Sequence, residues 1–408
     1  MEVVHERCCG LDVHKKIVVA CLLTPEGITR RTTEVRTFGT MTRDLLQLAD
    51  WLAAAGCTQV AMESTGSYWK PVYNILEATC TVLVVNAQHM KAVPGRKTDV
   101  KDAEWIADLL QHGLLRPSFI PDRAGRDLRE LTRYRMSLVR ERTAEVNRIQ
   151  KVLEGANIKL ASVASNIVGV SGRAMLTAMI AGVAEPAVLA DFARGRLREK
   201  RDLLEGALEG RMNQHQRFLL NVQLHHLDDL DATIAQVSAE IDLRQRSFTE
   251  AAARLMTIPG VGPRTAQTIL AEVGPDMSRF PSAGHLSSWA GLCPGHHESA
   301  GKRTSGRTRK GSPWLRGALV EAAQSAGRSK THLGEHYHRI AARRGKKRAA
   351  VATAHTILVA VYYVLRREQV FEDLGVNYFD ERRSQRTTRR LVRRLESLGY
   401  TVSIESAA

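Results

Sequence analysis

Short apolar runs divide the first 120 positions into segments that predict strands and helices in turn. Alternation and β-branched content predict strands at residues 3–13, 17–23, 29–37, 59–63 and 81–86. Apolar positions three and four apart predict helices at residues 42–55, 68–78 and 99–111. This region is therefore expected to form an α/β domain.

The order of these elements predicts the arrangement of the sheet. Three strands come in succession, with a turn at residues 25–27, and the later strands are separated by helices. This order is expected of the ribonuclease-H type of α/β fold, in which the first strand lies at the sheet centre and the fourth beside it. Thr98 is suited to cap the helix at 99–111. The apolar face of the helix at 42–55 is expected to come from Leu45, Leu46, Leu48, Ala49 and Leu52.

Two long helices are predicted in the middle of the chain, with shorter helices at residues 156–200. Residues 126–155 form a charged helix whose arginines are expected to be exposed, namely Arg129, Arg133, Arg135, Arg140, Arg142 and Arg148. Residues 217–243 carry an apolar seam close to a heptad repeat, made of Leu220, Leu224, Leu227, Leu230, Ile234, Val237 and Ile241. The seam fits a helical hairpin within the chain and a dimerising coiled coil equally well.

The formal charge of the chain is +16, and most of it lies at one end. Residues 301–408 hold 23 Lys and Arg against 9 Asp and Glu, a balance of +14. Such an excess indicates a polyanionic partner. Nucleic acid fits better than an acidic membrane, because these basic residues alternate with Ser, Thr and Gly instead of lining an amphipathic helix.

The cysteines and the apolar segments point to a cytoplasmic protein. No Cys-x-x-Cys pair occurs, and most cysteines lie in apolar runs, so we expect reduced core residues at Cys8, Cys9, Cys21, Cys57, Cys80 and Cys293. Acidic residues and His5 interrupt the first apolar run, so no signal peptide is expected. The most apolar window, residues 351–365, is too short to span a bilayer and predicts a buried helix.

Four acidic residues in the first quarter of the chain predict a metal site. Asp12 and Glu63 lie in apolar strand-like runs, where a carboxylate costs several kcal/mol of desolvation unless it is paired or binds a cation. Asp99 and Asp102 are three residues apart and share one helix face. The set therefore predicts ligands for Mg²⁺. Taken singly, Asp12 and Glu63 could simply end their strands, and Asp99 could cap its helix.

A glycine-rich turn at residues 255–266 is similar to a helix-hairpin-helix motif. Its Gly260 and Gly262 would let backbone N–H groups approach a phosphate at a helix N-terminus. A turn between two helices can also be glycine-rich for structural reasons alone.

A basic loop at residues 294–311 is the second candidate for chemistry. Positions 300–316 contain six basic residues and no acid, which predicts phosphate binding through Lys302, Arg303, Arg307, Arg309 and Lys310.

Ser299 in this loop would become a nucleophile if a base such as His296 or His297 took its proton and cations stabilised the transition state. Ser305 and Ser312 have similar neighbours, so spacing alone does not select Ser299.

These segments together resemble the DEDD transposases of bridge-RNA-guided insertion sequences. The resemblance covers roughly residues 5–160 and 250–330. It is carried by Leu-Asp-Val-His-Lys (11–15), Met-Glu-Ser-Thr-Gly-Ser-Tyr (62–68), Lys-Thr-Asp-x-x-Asp-Ala (97–103), Ile-Pro-Gly-Val-Gly (258–262) and Ser-x-Gly-Lys-Arg (299–303).

The resemblance implies an N-terminal RuvC-like domain and a C-terminal domain with a serine nucleophile. By motif position Asp12, Glu63, Asp99 and Asp102 would bind Mg²⁺, and Ser299 would become covalently joined to DNA. Where the family pattern is Ser-Ser-Gly-Gly-Lys, this chain has Glu298 and Ala300 in place of the first serine and first glycine.

The domains are predicted from the resemblance together with the sequence pattern, and the partners are implied by the resemblance. The domains would be a RuvC-like DEDD domain, a long helical or coiled-coil region, a mainly helical serine transposase domain with the hairpin-like turn, and a basic helical extension, at residues 1–120, 121–250, 251–350 and 351–408. The partners would be donor and target DNA, and a structured guide RNA that base-pairs with both. An even-numbered assembly, a homodimer or tetramer, is expected.

Two other functions stay open at this point. A metal-only nuclease would cut branched DNA by water attack and would need the carboxylates but not Ser299. A non-catalytic DNA- or RNA-binding protein would need neither, and its acidic residues would be structural.

Overall fold

A computed structural model describes most of the chain, namely residues 2–26, 30–64, 66–86, 102–295, 297–299, 302–381 and 384–404. Only the backbone is described for residues 297–299, 302–305, 380–381 and 385–387. Thr98, Asp99 and His296 lie outside the described residues. The chain forms two compact units, Met1–Ile120 and Pro121–Ala408.

The first unit is built on a five-stranded mixed sheet in the order β3-β2-β1-β4-β5. Its strands are β1 (Cys8–Val13), β2 (Ile17–Glu26), β3 (Arg30–Gly39), β4 (Gln59–Glu63) and β5 (Thr81–Val85). The first three strands pair antiparallel, whereas β4 runs parallel to β1 and β5 parallel to β4. The predicted placement of the first and fourth strands is confirmed, because β1 lies at the centre and β4 beside it.

Helices cover both faces of this sheet. They are α1 (Thr42–Ala54), α2 (Trp69–Leu76) and α3 (Asp102–Gln111). One face packs against α1 and α2, with Leu11 and Met62 of the sheet in that core. The other face packs against α3, with Cys8 and Ala61 in that core. Alternate residues of β1 and β4 therefore face opposite cores, as the strand period of two requires.

Three details of the first unit differ from the predictions. Strand β1 begins at Cys8 and not at residue 3, because the N–H groups of Val4 and His5 bond the Gln111 carbonyl at the end of α3. Strand β2 continues through Pro25 where a turn was predicted, since β1 begins at Cys8, opposite Leu23, and leaves that side of β2 open beyond Leu23. In α1 the side chain of Leu46 is 50% exposed and does not belong to the core.

The second unit is helical apart from one short hairpin, within its described residues. Its α-helices up to residue 244 are α4 (Arg123–Gly155), α5 (Leu160–Val163), α6 (Val170–Ile180), α7 (Pro186–Ala190), α8 (Arg201–Leu208) and α9 (Gln214–Arg244). Those that follow are α10 (Thr249–Met256), α11 (Pro263–Val273), α12 (Ala283–Trp289), α13 (Pro313–Ala326), α14 (His332–Arg344), α15 (Lys346–Arg367), α16 (Tyr378–Glu381) and α17 (Ser384–Glu396). The hairpin consists of β6 (His297–Ser299) and β7 (Lys302–Ser305).

The apolar seam of α9 is buried within the chain. All seven seam residues are buried. The N-terminal half of the seam packs with Ile149 and Leu153 of α4. The C-terminal half packs with Leu128 and Leu138 of the same helix. The structure therefore supports the intramolecular hairpin as the interpretation of this seam.

The prediction that the α4 arginines are exposed is wrong for several of them. Arg135 is only 5% exposed. Arg133 makes a bidentate bond to Glu272, and Arg129 donates to the Glu272 carbonyl oxygen at 2.6 Å. Arg142 is bonded to Asp231 of α9. Part of the polar face of this helix therefore packs against other helices of the unit. The pattern of charges along the sequence does not distinguish an arginine that faces solvent from one that is paired with an acid of another helix.

Helix α15 confirms the predicted buried apolar segment. It is long and apolar enough to cross a membrane by length and composition, yet Ala354, Ile357, Leu358 and Val361 are fully buried in the protein core. It begins at Lys346, so the predicted domain boundary at residue 350 falls inside this helix.

Helix α17 differs from the expectation for the basic end of the chain. Its five arginines, at positions 386, 389, 390, 393 and 394, fall within an arc of about 140° at 100° per residue. Part of the basic charge therefore does line an amphipathic helix.

Candidate catalytic site

The candidate region of the first unit depends on a close approach between β1 and α3. A Cβ on Gly10 would lie 2.2 Å from the Ala103 carbonyl oxygen and 2.4 Å from the Ala107 nitrogen. Only glycine allows the helix to lie this near to the strand. Because residues two apart share one face of a strand, Asp12 lies on the same face as Gly10.

Glu63 lies on the same face of the neighbouring strand. Ala61 packs in the core under α3, and Glu63 follows it by two positions. The parallel register pairs Leu11 with Met62, so the next step along both strands places Asp12 beside Glu63. Both carboxylates are half-buried at the carboxyl ends of adjacent strands.

Asp102 belongs to the same region of the first unit. It is the first described residue of α3 and precedes Ala103, whose carbonyl oxygen approaches Gly10. Asp99, the remaining predicted ligand, lies outside the described residues. Across the described part of the chain, no group of three or more His, Cys, Asp or Glu side chains is arranged so that it could hold a metal ion. The structure thus brings Asp12 and Glu63 together on the face that α3 covers.

A histidine that the sequence analysis did not single out contacts the first carboxylate. His14 Nε2 lies 2.9 Å from Asp12 Oδ2, just after the end of β1. The sequence signal that could have identified His14 is its position two residues after Asp12, the carboxylate of the strand. The histidine fixes the orientation of one carboxylate oxygen of Asp12.

Other polar groups near this face have structural roles. Asp108 of α3 accepts a bond of 2.8 Å from Arg31 of β3. Burial raises the pKa of the Cys8 thiol to about 12, so this thiol is neutral near pH 7. In the described structure all six cysteines are free thiols; Cys8, Cys9, Cys21 and Cys57 are buried in the core as predicted, whereas Cys80 and Cys293 are only half-buried.

The candidate region of the second unit is the hairpin β6–β7, where a loop was predicted. Ser299 pairs with Lys302 across the antiparallel strands, and Glu298 pairs with Arg303. Two further contacts extend the pairing toward the base of the hairpin: a bridge between Pro294 and Thr308, and a bond of 2.8 Å from the Gly295 N–H to the Arg307 carbonyl oxygen. Ser299 thus lies at the end of its strand next to the connection, directly opposite a lysine.

The basic residues that follow β7 face solvent. The side chains of Arg307, Arg309 and Lys310 are exposed. They are therefore accessible to a phosphate backbone. For Lys302 and Arg303 the structure describes only the backbone.

Ser312, a serine with neighbours similar to those of Ser299, has a structural role. Its hydroxyl donates to Glu272 Oε2 at 3.0 Å and accepts from the Leu315 N–H, which caps α13. Glu272 is fully buried and also receives the bidentate bond of Arg133. Burial lowers the pKa of Arg129 beside it to about 10. This network joins α4, α11 and the start of α13.

The two glycines of the predicted phosphate-binding turn differ in how closely other atoms surround them. Gly260 has φ +89°, and a Cβ there would lie 2.2 Å from the Ala322 carbonyl oxygen of α13. Its lack of a side chain is therefore explained by helix packing. Gly262 has open space around it and precedes Pro263 at the start of α11. Phosphate binding stays a prediction for this turn.

Two family models match the chain. The model of the DEDD transposase domain of IS110-type elements, described as a transposase, matches residues 9–158. The model described as the transposase of the IS116/IS110/IS902 family matches residues 252–338. The two matches together cover more than half of the chain and include Asp12, Glu63, Asp102 and Ser299.

Curated relatives extend the similarity to nearly the whole chain. The transposase of insertion sequence element IS1111A from Coxiella burnetii is 26% identical over 375 residues, with 89% of this chain and 90% of the relative covered. The 43.6 kDa protein of insertion element IS110 from Streptomyces coelicolor is 27% identical over 397 residues, with 89% and 94% covered.

A pilin gene-inverting protein from Moraxella bovis is 33% identical over 125 residues, with 30% of this chain and 38% of the relative covered. With both family models matched and relatives aligned almost end to end, the chain belongs to the IS110/IS116/IS902 family of transposases, enzymes that cleave and rejoin DNA.

Proposed function

We propose that this transposase cleaves and rejoins DNA through a covalent link between Ser299 and a DNA phosphate, with a divalent cation bound by Asp12, Glu63, Asp99 and Asp102. The observation that carries the proposal is the position of Asp12 beside Glu63 on the sheet face that α3 covers. The strand order and directions of the first unit support its assignment as RuvC-like.

The chemistry of these side chains suits a hard cation. Carboxylate oxygens are the protein ligands that Mg²⁺ prefers. Two carboxylates at the ends of adjacent strands, with a third starting the helix above them, offer such oxygens from three elements. A bound Mg²⁺ would neutralise charge on the scissile phosphate. His14 would hold the Asp12 carboxylate in a fixed orientation through its bond to Oδ2.

In the proposed cleavage step, the Ser299 hydroxyl oxygen attacks phosphorus and its proton passes to a base. A bond forms between Ser299 Oγ and phosphorus, and the bond from phosphorus to one bridging deoxyribose oxygen breaks. That oxygen takes a proton and leaves as a hydroxyl.

Rejoining reverses these steps on another strand. A deoxyribose hydroxyl of that strand attacks the same phosphorus, and Ser299 leaves and recovers its proton. One phosphodiester bond replaces another, so the exchange needs no external energy source. Lys302, whose backbone pairs with Ser299, and the exposed Arg307 and Arg309 would supply positive charge to the reacting phosphate.

The proposal includes a structured RNA that selects the DNA sequences by base pairing. The basic balance of +14 in residues 301–408 supports binding to phosphate backbones without reading bases. An even-numbered homo-oligomer is part of the same proposal, since strand exchange must hold two DNA molecules.

A denaturing gel tests this mechanism. Purified protein is mixed with Mg²⁺, a transcript of the flanking non-coding DNA and labelled donor-end DNA. Wild-type protein should give a protein–DNA adduct that survives denaturation. Ser299→Ala should give none, and Asp12→Ala should reduce the adduct by at least about 100-fold, as expected for the loss of a group that acts on the reacting atoms.

Two variants serve as matched controls. Ser305→Ala removes a serine hydroxyl from β7, and Asp108→Asn removes a carboxylate from α3 that is bonded to Arg31. Both should keep the adduct. If the DNA is cleaved without any adduct, and if this cleavage persists in Ser299→Ala, the protein is a metal-only nuclease. Full activity of Asp12→Ala would make the acidic residues structural, and equal activity without the transcript would remove the RNA from the mechanism.

A further inference from the structure

A dense cationic corner lies where α14 ends and α15 begins. Five basic residues occur within six positions, and all five side chains are exposed: Arg343, Arg344, Lys346, Lys347 and Arg348. Residues 336–367 contain no Asp or Glu. Within the described part of the chain, none of the five forms an ion pair with an acid. We call these five residues the α14–α15 corner.

The local electrostatics of this corner are unfavourable in the isolated protein. Three of the cations occupy the first turn of α15, and this turn holds no acidic residue. A helix N-terminus carries partial positive charge, so cations there repel it and acids are preferred. The N-cap is Gly345, which has no side chain to bond the first-turn N–H groups. Positive charge from side chains and backbone therefore converges at one exposed point.

The corner is held by well-packed helices. Leu333 of α14 and Ala349 and Ala350 of α15 are buried. His336 Nδ1 of α14 lies 3.2 Å from the Thr353 hydroxyl of α15. The acid that precedes the corner, Glu335, already accepts a bond of 2.8 Å from Arg339. The cations are thus presented from a fixed backbone.

We propose that the α14–α15 corner binds the phosphate backbone of double-stranded DNA. The corner lies beyond residues 252–338, which the second family model matches, and is separate in sequence from the hairpin of Ser299. Phosphate oxygens would satisfy both the side chains and the first-turn N–H groups. Since the enzyme acts on DNA and the corner offers only cationic side chains and backbone N–H groups, it would position the duplex through its phosphates, independently of sequence.

The test is DNA binding without chemistry. The full-length Lys346→Gln/Lys347→Gln/Arg348→Gln variant is titrated with a fluorescent DNA duplex over a range of salt concentrations, with EDTA present. The slope of log K against log salt should become shallower by about 2 to 3, at about 0.9 for each lost phosphate contact. Affinity at about 0.1 M salt should fall by at least about ten-fold.

A control variant removes the same charge elsewhere in the second unit. Arg196→Gln/Arg198→Gln/Lys200→Gln changes three exposed residues of the 3-10 helix Gly195–Lys200. Its salt slope should change by less than about one unit. The corner variant should keep or raise its thermal midpoint, since it removes cations from a helix N-terminus, so weaker binding could not be attributed to unfolding.

Other outcomes overturn the proposal. An unchanged slope, or equal losses in the corner and control variants, would show that only net charge matters. Loss of binding to an RNA duplex or to phosphatidylserine vesicles, with DNA binding intact, would assign the corner to that partner instead. Ser299→Ala should bind the duplex with the same affinity as wild type. The binding test of the corner therefore does not depend on the outcome of the adduct experiment.

Discussion

Gly10 and Asp12 lie on the same face of β1 and have different roles there. Gly10 has no side chain, which lets α3 lie against the strand, while Asp12 carries a charge at the end of the same strand. Sequence reasoning selected Asp12 and Glu63 because a charged residue in an apolar strand run is unusual. It did not select His14 or Glu272, because their roles depend on particular contacts.

Gly10→Ala should lower the stability of the first unit by about 2 kcal/mol or more. The new Cβ would overlap the Ala103 carbonyl oxygen, so α3 must shift or the strand must bend, an overpacking cost. Urea unfolding measures the change.

The comparison variant is Gly206→Ala in α8. A Cβ at Gly206 meets nothing within 4 Å, so alanine should raise stability by about 0.5 to 1 kcal/mol through its helix propensity. Equal and small effects at both positions would contradict the close approach of α3 to β1.

Helix α9 shows how far periodicity predicts the packing of an element. All seven seam positions identified from the sequence are buried. Periodicity did not identify the partner, because a helix of the same chain and a helix of a second copy would bury the same face. The structure supplies α4 as the partner.

Leu227→Ala should destabilise the second unit by about 2 to 5 kcal/mol, because this fully buried side chain would leave a cavity between α9 and the helices around it. Val222→Ala, on the same helix with 49% exposure, should change stability by less than about 0.5 kcal/mol. Chemical unfolding gives both values.

Light scattering on the same two proteins tests the role of the seam. The mass in solution should be unchanged in Leu227→Ala, since the apolar residues of the seam are already buried within the chain. A selective loss of oligomer would show that the seam also joins two copies.

At the scale of the whole molecule, the chain separates into units with cores of their own. The sheet of residues 1–120 is covered by helices on both faces and has two apolar clusters. The helical unit that follows contains the α4–α9 hairpin and the helices around α15. Each unit is large enough to bury a core.

A fragment of residues 1–120 should therefore fold by itself. We expect one cooperative urea transition, followed by circular dichroism, since both cores of the unit are contained in the fragment. A fragment of residues 1–80, which lacks β5 and α3 and so one of the two cores, is the control and should show no such transition. A gradual loss of signal in the longer fragment would contradict its independence.

The sequence by itself determined the order of strands and helices, the buried face of α9, the apolar character of α15 and the residues that match the transposase family. These depend on local periodicity and on residue type, which are written along the chain. Only the tertiary structure decided the strand register that brings Asp12 level with Glu63, the bond of Arg133 to a buried Glu272 and the hairpin that places Ser299 opposite Lys302. Such pairings join segments that meet only after folding, through strand register and helix packing, so local pattern does not specify them.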